Sequence, residues 1–156
     1  MKKQGILIVF FCIFTTIIWA NDAQKLTWEV MEGLNYETGQ TTPLLQNHHN
    51  QTVEVEGFIV PLEMDGYIER VSEFLLVPDP LACIHVPPPP PNQMIFVKMA
   101  QSIPLDMDYR GIAITGKLVI AKSKNGVYGY KLAGVSAKEA NIEYDDPLLE
   151  YMEISY

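Results

Sequence analysis

Cys83 and His85 stand two residues apart in FLLVPDPLACIHVPPPPPNQMIFVKM, the stretch from Phe74 to Met99. Side chains alternate along an extended chain, so positions 83 and 85 project to the same side and a thiolate and an imidazole converge there on one cation. Sulfur with nitrogen suits Zn²⁺ or a copper ion, with Cu(I) favoured where the site is sulfur-rich or trigonal. Two ligands fall short of the four of a structural zinc site; Glu63, Glu73, Asp79, His48 and His49 are the candidates for the rest. Two other readings compete with metal binding. Cys83 is a small buried residue and His85 bonds a loop carbonyl, or His85 lowers the thiol pKa for oxidation or exchange chemistry. Hydrolysis by a Cys-His pair needs an orienting group and an oxyanion hole, and no such motif is recognisable. No phosphate-binding glycine loop, HExxH helix or calcium loop appears either, so the sequence names no reaction and disfavours an enzyme.

The five prolines Pro87, Pro88, Pro89, Pro90 and Pro91 follow at once. Each fixes its own φ, removes an N–H donor and pushes its predecessor toward extended geometry, which predicts a stiff polyproline-II rod. At roughly 3.1 Å per residue the five span about 15 Å. The rod positions Cys83 and His85, and its ridges also suit docking on an aromatic surface of a partner protein. Asn92 and Gln93 restore donors and acceptors just past the rod, either to satisfy loop backbone groups or to line the metal or partner site. The paired His48 and His49 in QNHHNQ are weak metal candidates or ordinary loop histidines.

The elements that must hold this loop read as short strands. In TVEVEGFIVPLE, Val53 and Val55 alternate with Glu54 and Glu56; Gly57 then interrupts, and the apolar set broadens to Phe58, Ile59 and Val60. A glycine there permits the coiling by which one strand serves two sides of a small barrel, and Pro61 marks an edge or strand end. Ile68 to Val77 reads as a second strand, MIFVKMA as a third and Ile112 to Lys122 as a fourth. VYGYKLAGVSA is the fifth, joined to the fourth through a tight turn at Lys124, Asn125 and Gly126. One helical turn is expected at Ser136 to Ala140. IPLDMDYRG is a connector that brings Tyr109 toward the barrel surface, and Tyr144, Tyr151 and Tyr156 of the acidic tail are expected to cover apolar edges. Before the strands, LTWEVMEGLN reads as a short helix capped by Thr27, with Trp28, Met31 and Leu34 on one face, packing on an edge or open end of the main fold. The reading is all-β: a small five-stranded antiparallel barrel resembling the oligonucleotide/oligosaccharide-binding (OB) fold, with a short N-terminal helix and a compact β-sandwich as the alternative.

Lys2 and Lys3, the apolar run from Gly5 to Trp19 and the small Ala20 read as an export signal cut ahead of Asn21. An uncleaved anchor is the alternative, because Ile18 is large for its place before the cut. The expected organisation is a signal at 1–20, an N-terminal extension at 21–51 and a barrel domain at 52–156, located in the periplasm or outside the cell. No further apolar run is long enough to span a membrane, so no transmembrane segment is expected in the mature chain. Removal of the signal leaves nine basic and nineteen acidic residues, a formal charge of -10. That balance repels phosphate backbones and weighs against nucleic acid as a partner. Of the two cysteines, Cys12 leaves with the signal; Cys83 then has no intramolecular partner, which excludes a disulfide framework.

GFIVPLE at 57–63, EFLLVPDPLACIHVPPPPPNQMIFV at 73–97 and the GKL of Gly116 to Leu118 resemble the exported bacterial proteins of the DUF3299 family, over most of the mature chain. Leu81 stands before Ala82 where the family pattern often has Gly, which stiffens the approach to Cys83. The resemblance implies a periplasmic or exported protein, sometimes found beside transport components, and hints at metal or small-molecule handling. It transfers no catalytic residue. The expected function is an exported binding or accessory protein that coordinates zinc or copper through the Cys-x-His loop. The alternative is a non-enzymatic interaction or structural module of an envelope or transport assembly, with the prolines, Asn92 and Gln93 touching the partner.

Overall fold

The protein is described here from a computed structural model, over residues 23–62, 68–80, 88–108, 110–121 and 128–142. The expected export signal, the Lys124–Gly126 turn, Tyr109, and Tyr144, Tyr151 and Tyr156 lie outside the described residues.

The strands are β1 (Gln24–Lys25), β2 (Thr52–Pro61), β3 (Arg70–Val77), β4 (Ile95–Pro104), β5 (Ile112–Ile120) and β6 (Tyr130–Glu139). They run in the order β1-β2-β3-β4-β6-β5, and a further β2–β5 pairing closes β2 to β6 into a five-stranded barrel. This is the OB-like strand order. One pairing departs from the antiparallel expectation: β4 and β6 are parallel, in register from Ile95↔Tyr130 to Met99↔Gly134. Beside the barrel, β1 adds a short parallel pairing to β2.

Gly57 is where β2 changes partners. Thr52 to Gly57 pair with β5, whereas Phe58 to Pro61 pair with β3. A Cβ at Gly57 would lie 2.6 Å from the Val77 carbonyl oxygen and 3.1 Å from Trp28 Cζ2, so close approach of two backbones and a ring requires glycine here. The inward positions Val53, Val55, Phe74, Leu76, Ile95, Val97, Ile112, Ile114, Leu118, Tyr130 and Leu132 form one continuous core.

The unbroken FLLV of β3 (Phe74 to Val77) serves two apolar clusters, one on each face of the strand. Phe74 and Leu76 point into the barrel, while Leu75 and Val77 point outward onto a second apolar cluster built on Phe58, Val77 and Met94. The helical turn expected at Ser136–Ala140 is overturned, because β6 continues to Glu139 against Ile112. Pairing with β5 supplies backbone partners that one isolated turn would leave to water. A register shift between Thr115 and Gly116 leaves Val135 without a partner in the pairing, and Val135 is 68% exposed.

The segment ahead of the barrel folds onto its end. Thr27 caps the single turn α1 (Trp28–Met31), and Thr42 caps a second, α2 (Pro43–Gln46), each accepting from a first-turn amide. Met31, Leu34 and Leu45 are buried in the barrel core. Trp28 Nε1 donates to the Glu56 carbonyl at 2.7 Å, and the Tyr130 hydroxyl donates to the Met31 carbonyl.

Candidate functional site

The proline loop joins β3 to β4 at the barrel end covered by α1. Its Cys83, His85 and Pro87 lie outside the described residues; Pro88 to Gln93 are described. Pro90 has φ -64 and ψ 156, the polyproline-II geometry that its ring favours. The extended stretch stops there, because Pro91 opens a 3₁₀ turn over Pro91–Gln93. Proline is tolerated at the start of such a turn, where its missing N–H has no partner to lose. Pro88 and Pro90 are exposed and Pro89 is half-buried.

The foot of the loop is held by its own side chains. Asn92 Nδ2 donates to the Leu34 carbonyl at 3.1 Å and lies 3.5 Å from that of Glu32. Gln93 Nε2 donates to the Trp28 carbonyl at 3.3 Å. The Glu32 and Leu34 carbonyls lie just beyond α1, past its last intrahelical donors, whereas the Trp28 carbonyl at its start also accepts from the Glu32 amide at 3.1 Å. On the other side, the Gly129 amide donates to the Pro91 carbonyl at 2.6 Å. Both side-chain amides therefore serve backbone groups of the chain itself. Asn92 Oδ1 is buried and accepts no hydrogen bond among the described residues.

The two adjacent histidines differ. His49 Nδ1 lies 3.1 Å from the Ile120 amide and must accept from it, which puts the single proton of the neutral ring on Nε2. Neither nitrogen then offers a lone pair to a metal, and His49 reads as the acceptor that ends β5. His48 Nδ1 lies 3.0 Å from the Leu44 carbonyl and must donate to it, leaving Nε2 with its lone pair. Glu73 forms an ion pair with Lys98 across β3 and β4. Glu63 lies outside the described residues. Among the described residues no three His, Cys, Asp or Glu side chains gather as a metal group.

At the other end of the barrel an open cleft of about 560 Å³ is lined by Ile68, Glu69, Arg70, Pro104, Leu105 and Asp106. The Arg70 guanidinium is engaged by the Ser102 hydroxyl and carbonyl, so part of the cleft's positive charge is already committed to β4.

A feature that the motif reading missed lies on the outside of β2, β3 and β4. Val60, Leu75 and Phe96 pair across the three strands in one outward row, and Tyr128 stacks on Phe96 with ring centroids 5.5 Å apart. Lys131 continues the row on β6 and sits 5.8 Å from the Tyr128 ring centroid. The sequence carried part of the signal: FIV and FLLV are apolar at successive positions, which fits strands covered on both faces without saying by what.

A closed OB-like barrel with a proline-bearing insertion between its second and third barrel strands is the class that this geometry defines. The chain belongs to the DUF3299 family, described as proteins of unknown function, whose model matches residues 16–139. A similar solved structure is that of a DUF3299 family protein from Pseudomonas aeruginosa PAO1. It is 26% identical, with a TM-score of 0.59, and the match covers 78% of this chain and 99% of that one. No curated protein matches the chain. Among the described residues no helix is long and apolar enough to cross a membrane.

Proposed function

We propose that this is an exported, non-enzymatic binding protein whose proline loop is the docking surface for a protein of an envelope or transport assembly. The observation that carries the reading is the fixed foot of the loop. Asn92 and Gln93 bind it to α1, Gly129 holds Pro91, and the exposed Pro88 and Pro90 stand on that base. A preordered proline ridge loses little entropy on docking, which is the advantage of polyproline-II recognition. Asn92 and Gln93 then act as positioning residues and not as contacts.

Replacing Pro88 and Pro90 by serine tests this. Partner capture from envelope extracts should fall while the thermal midpoint stays put. The double variant Asn92→Ala with Gln93→Ala should lower both. Unchanged capture by the serine variant, with the fold intact, would remove the reading.

Coordination of Zn²⁺ or copper by Cys83 and His85 is the second reading, supported by their two-residue spacing ahead of that foot. Protein purified without a histidine tag should take up metal stoichiometrically, and Cys83→Ala and His85→Ala should each abolish uptake. Full uptake by both variants would eliminate the site.

A further inference from the structure

The outward apolar row on β2, β3 and β4 needs a cover. Outer faces of small barrels carry polar side chains where water meets them, yet Phe58, Val77 and Met94 are buried although they lie outside the core. Val60, Leu75 and Tyr128 pack against them and are only half-buried. Part of the cover is visible: Ile142, just past β6, packs on this cluster.

Ile142 is fastened there by its own backbone. The Ala140 amide donates to the Gly111 carbonyl at 2.9 Å and the Ile142 amide to the Arg110 carbonyl at 3.1 Å, which carries the chain past the start of β5. Gly111 has φ +87, and a Cβ on it would lie 2.4 Å from Ile142 Cδ1. Glycine here serves the turn and leaves room for Ile142 together.

The segment after Ile142 has the composition of a cover. Residues 143–156 carry Leu148, Leu149, Tyr151, Met152 and Ile154 among Glu143, Asp145, Asp146, Glu150 and Glu153. At roughly 3.3 Å per extended residue the segment reaches about 45 Å, several times the spacing of about 5 Å between neighbouring strands. Lys131 borders the row and complements the acidic side chains, while Lys98 beside it is already paired with Glu73. The family model ends at residue 139, so this segment lies beyond the part matched to the family.

We propose that residues 143–156 dock along the outer face of β2, β3 and β4 and cover Val60, Leu75 and Phe96. This goes beyond the docking role of the proline loop and does not depend on it.

The test uses the full chain with a nitroxide on Glu150→Cys in a Cys12→Ser, Cys83→Ser background. Paramagnetic broadening is expected at the amides of Val60, Leu75 and Phe96, and not at Thr52 at the far end of β2. Phe96→Asp, with circular dichroism unchanged, should abolish the broadening. Leu149→Asp should do the same without touching the barrel. Uniform or absent broadening in the labelled chain overturns the proposal. So does selective broadening that arises only between molecules, in a mixture of nitroxide-labelled and isotope-labelled chains, because a second copy is then the occupant.

Discussion

Tyr130 joins the barrel core to the segment that covers the barrel's end. Its ring is fully buried, its hydroxyl donates to the Met31 carbonyl, and burial pushes the phenol well above its usual 10.0. A phenol whose folded pKa exceeds its unfolded one leaves stability intact below the unfolded value. That stability is lost as pH rises above 10 toward the folded value, because only the unfolded chain ionises there. Urea titrations should therefore show wild-type stability falling above about pH 10, with a weaker fall in Tyr130→Phe. At neutral pH the same variant should be destabilised by about 0.5–1.5 kcal/mol, since the buried Met31 carbonyl loses one of its two donors and keeps the Leu34 amide. Asn92 and Gln93 teach a related lesson. Their position after the prolines marked them as special, but the sequence could not distinguish service to a partner from service to α1. The α1 carbonyls that they meet are some sixty positions away in the chain. For Cys83 and His85 the two-residue period suggests a shared side and no third ligand, and both lie outside the described residues.

At the scale of elements, the turning point is Gly57. Alternation up to Glu56 and its loss afterwards were both readable, and so was the expectation that one strand serves two sides of the barrel. The reason that alternation is lost was not readable, because it depends on the outer cluster of Phe58, Val77 and Met94, gathered from three separate stretches. Gly57→Ala should destabilise the protein by about 1–3 kcal/mol, since the new methyl meets the Val77 carbonyl and the Trp28 ring. Equilibrium denaturation would measure it. Trp28→Phe in the same background should recover little, because the carbonyl and not the ring is the nearer obstacle. The length of β6 was misjudged for a comparable reason. Ser136 to Ala140 carry no local preference strong enough to outweigh nine positions of pairing with β5, whose contribution is invisible until the partner is known.

For the whole molecule, the OB-like order follows from which strand fills which gap. With β2 to β5 in place, β4 and β5 are the two open edges, and β6 occupies both at once, parallel to the first and antiparallel to the second. A chain ending before Tyr130 should show no cooperative thermal transition, and its amide exchange should lack a protected core, because two unpaired edges and the cavity left by Tyr130 and Leu132 remain. A cooperative transition in that fragment would show that four strands suffice. The five barrel strands were legible from turn residues and periodicity, whereas β1 and the parallel β4–β6 pairing were not: parallel and antiparallel neighbours share the same two-residue pattern.

That placement of β6 also sets when the fold can form. The strand that seals the cylinder is the last of the five to leave the ribosome, so the nascent polypeptide has no complete hydrogen-bonded ring until all of them have emerged. The pairings of β4 and β5 with that strand must wait for that moment, later than the wider β2–β5 pairing, and the polypeptide stays threadable until then.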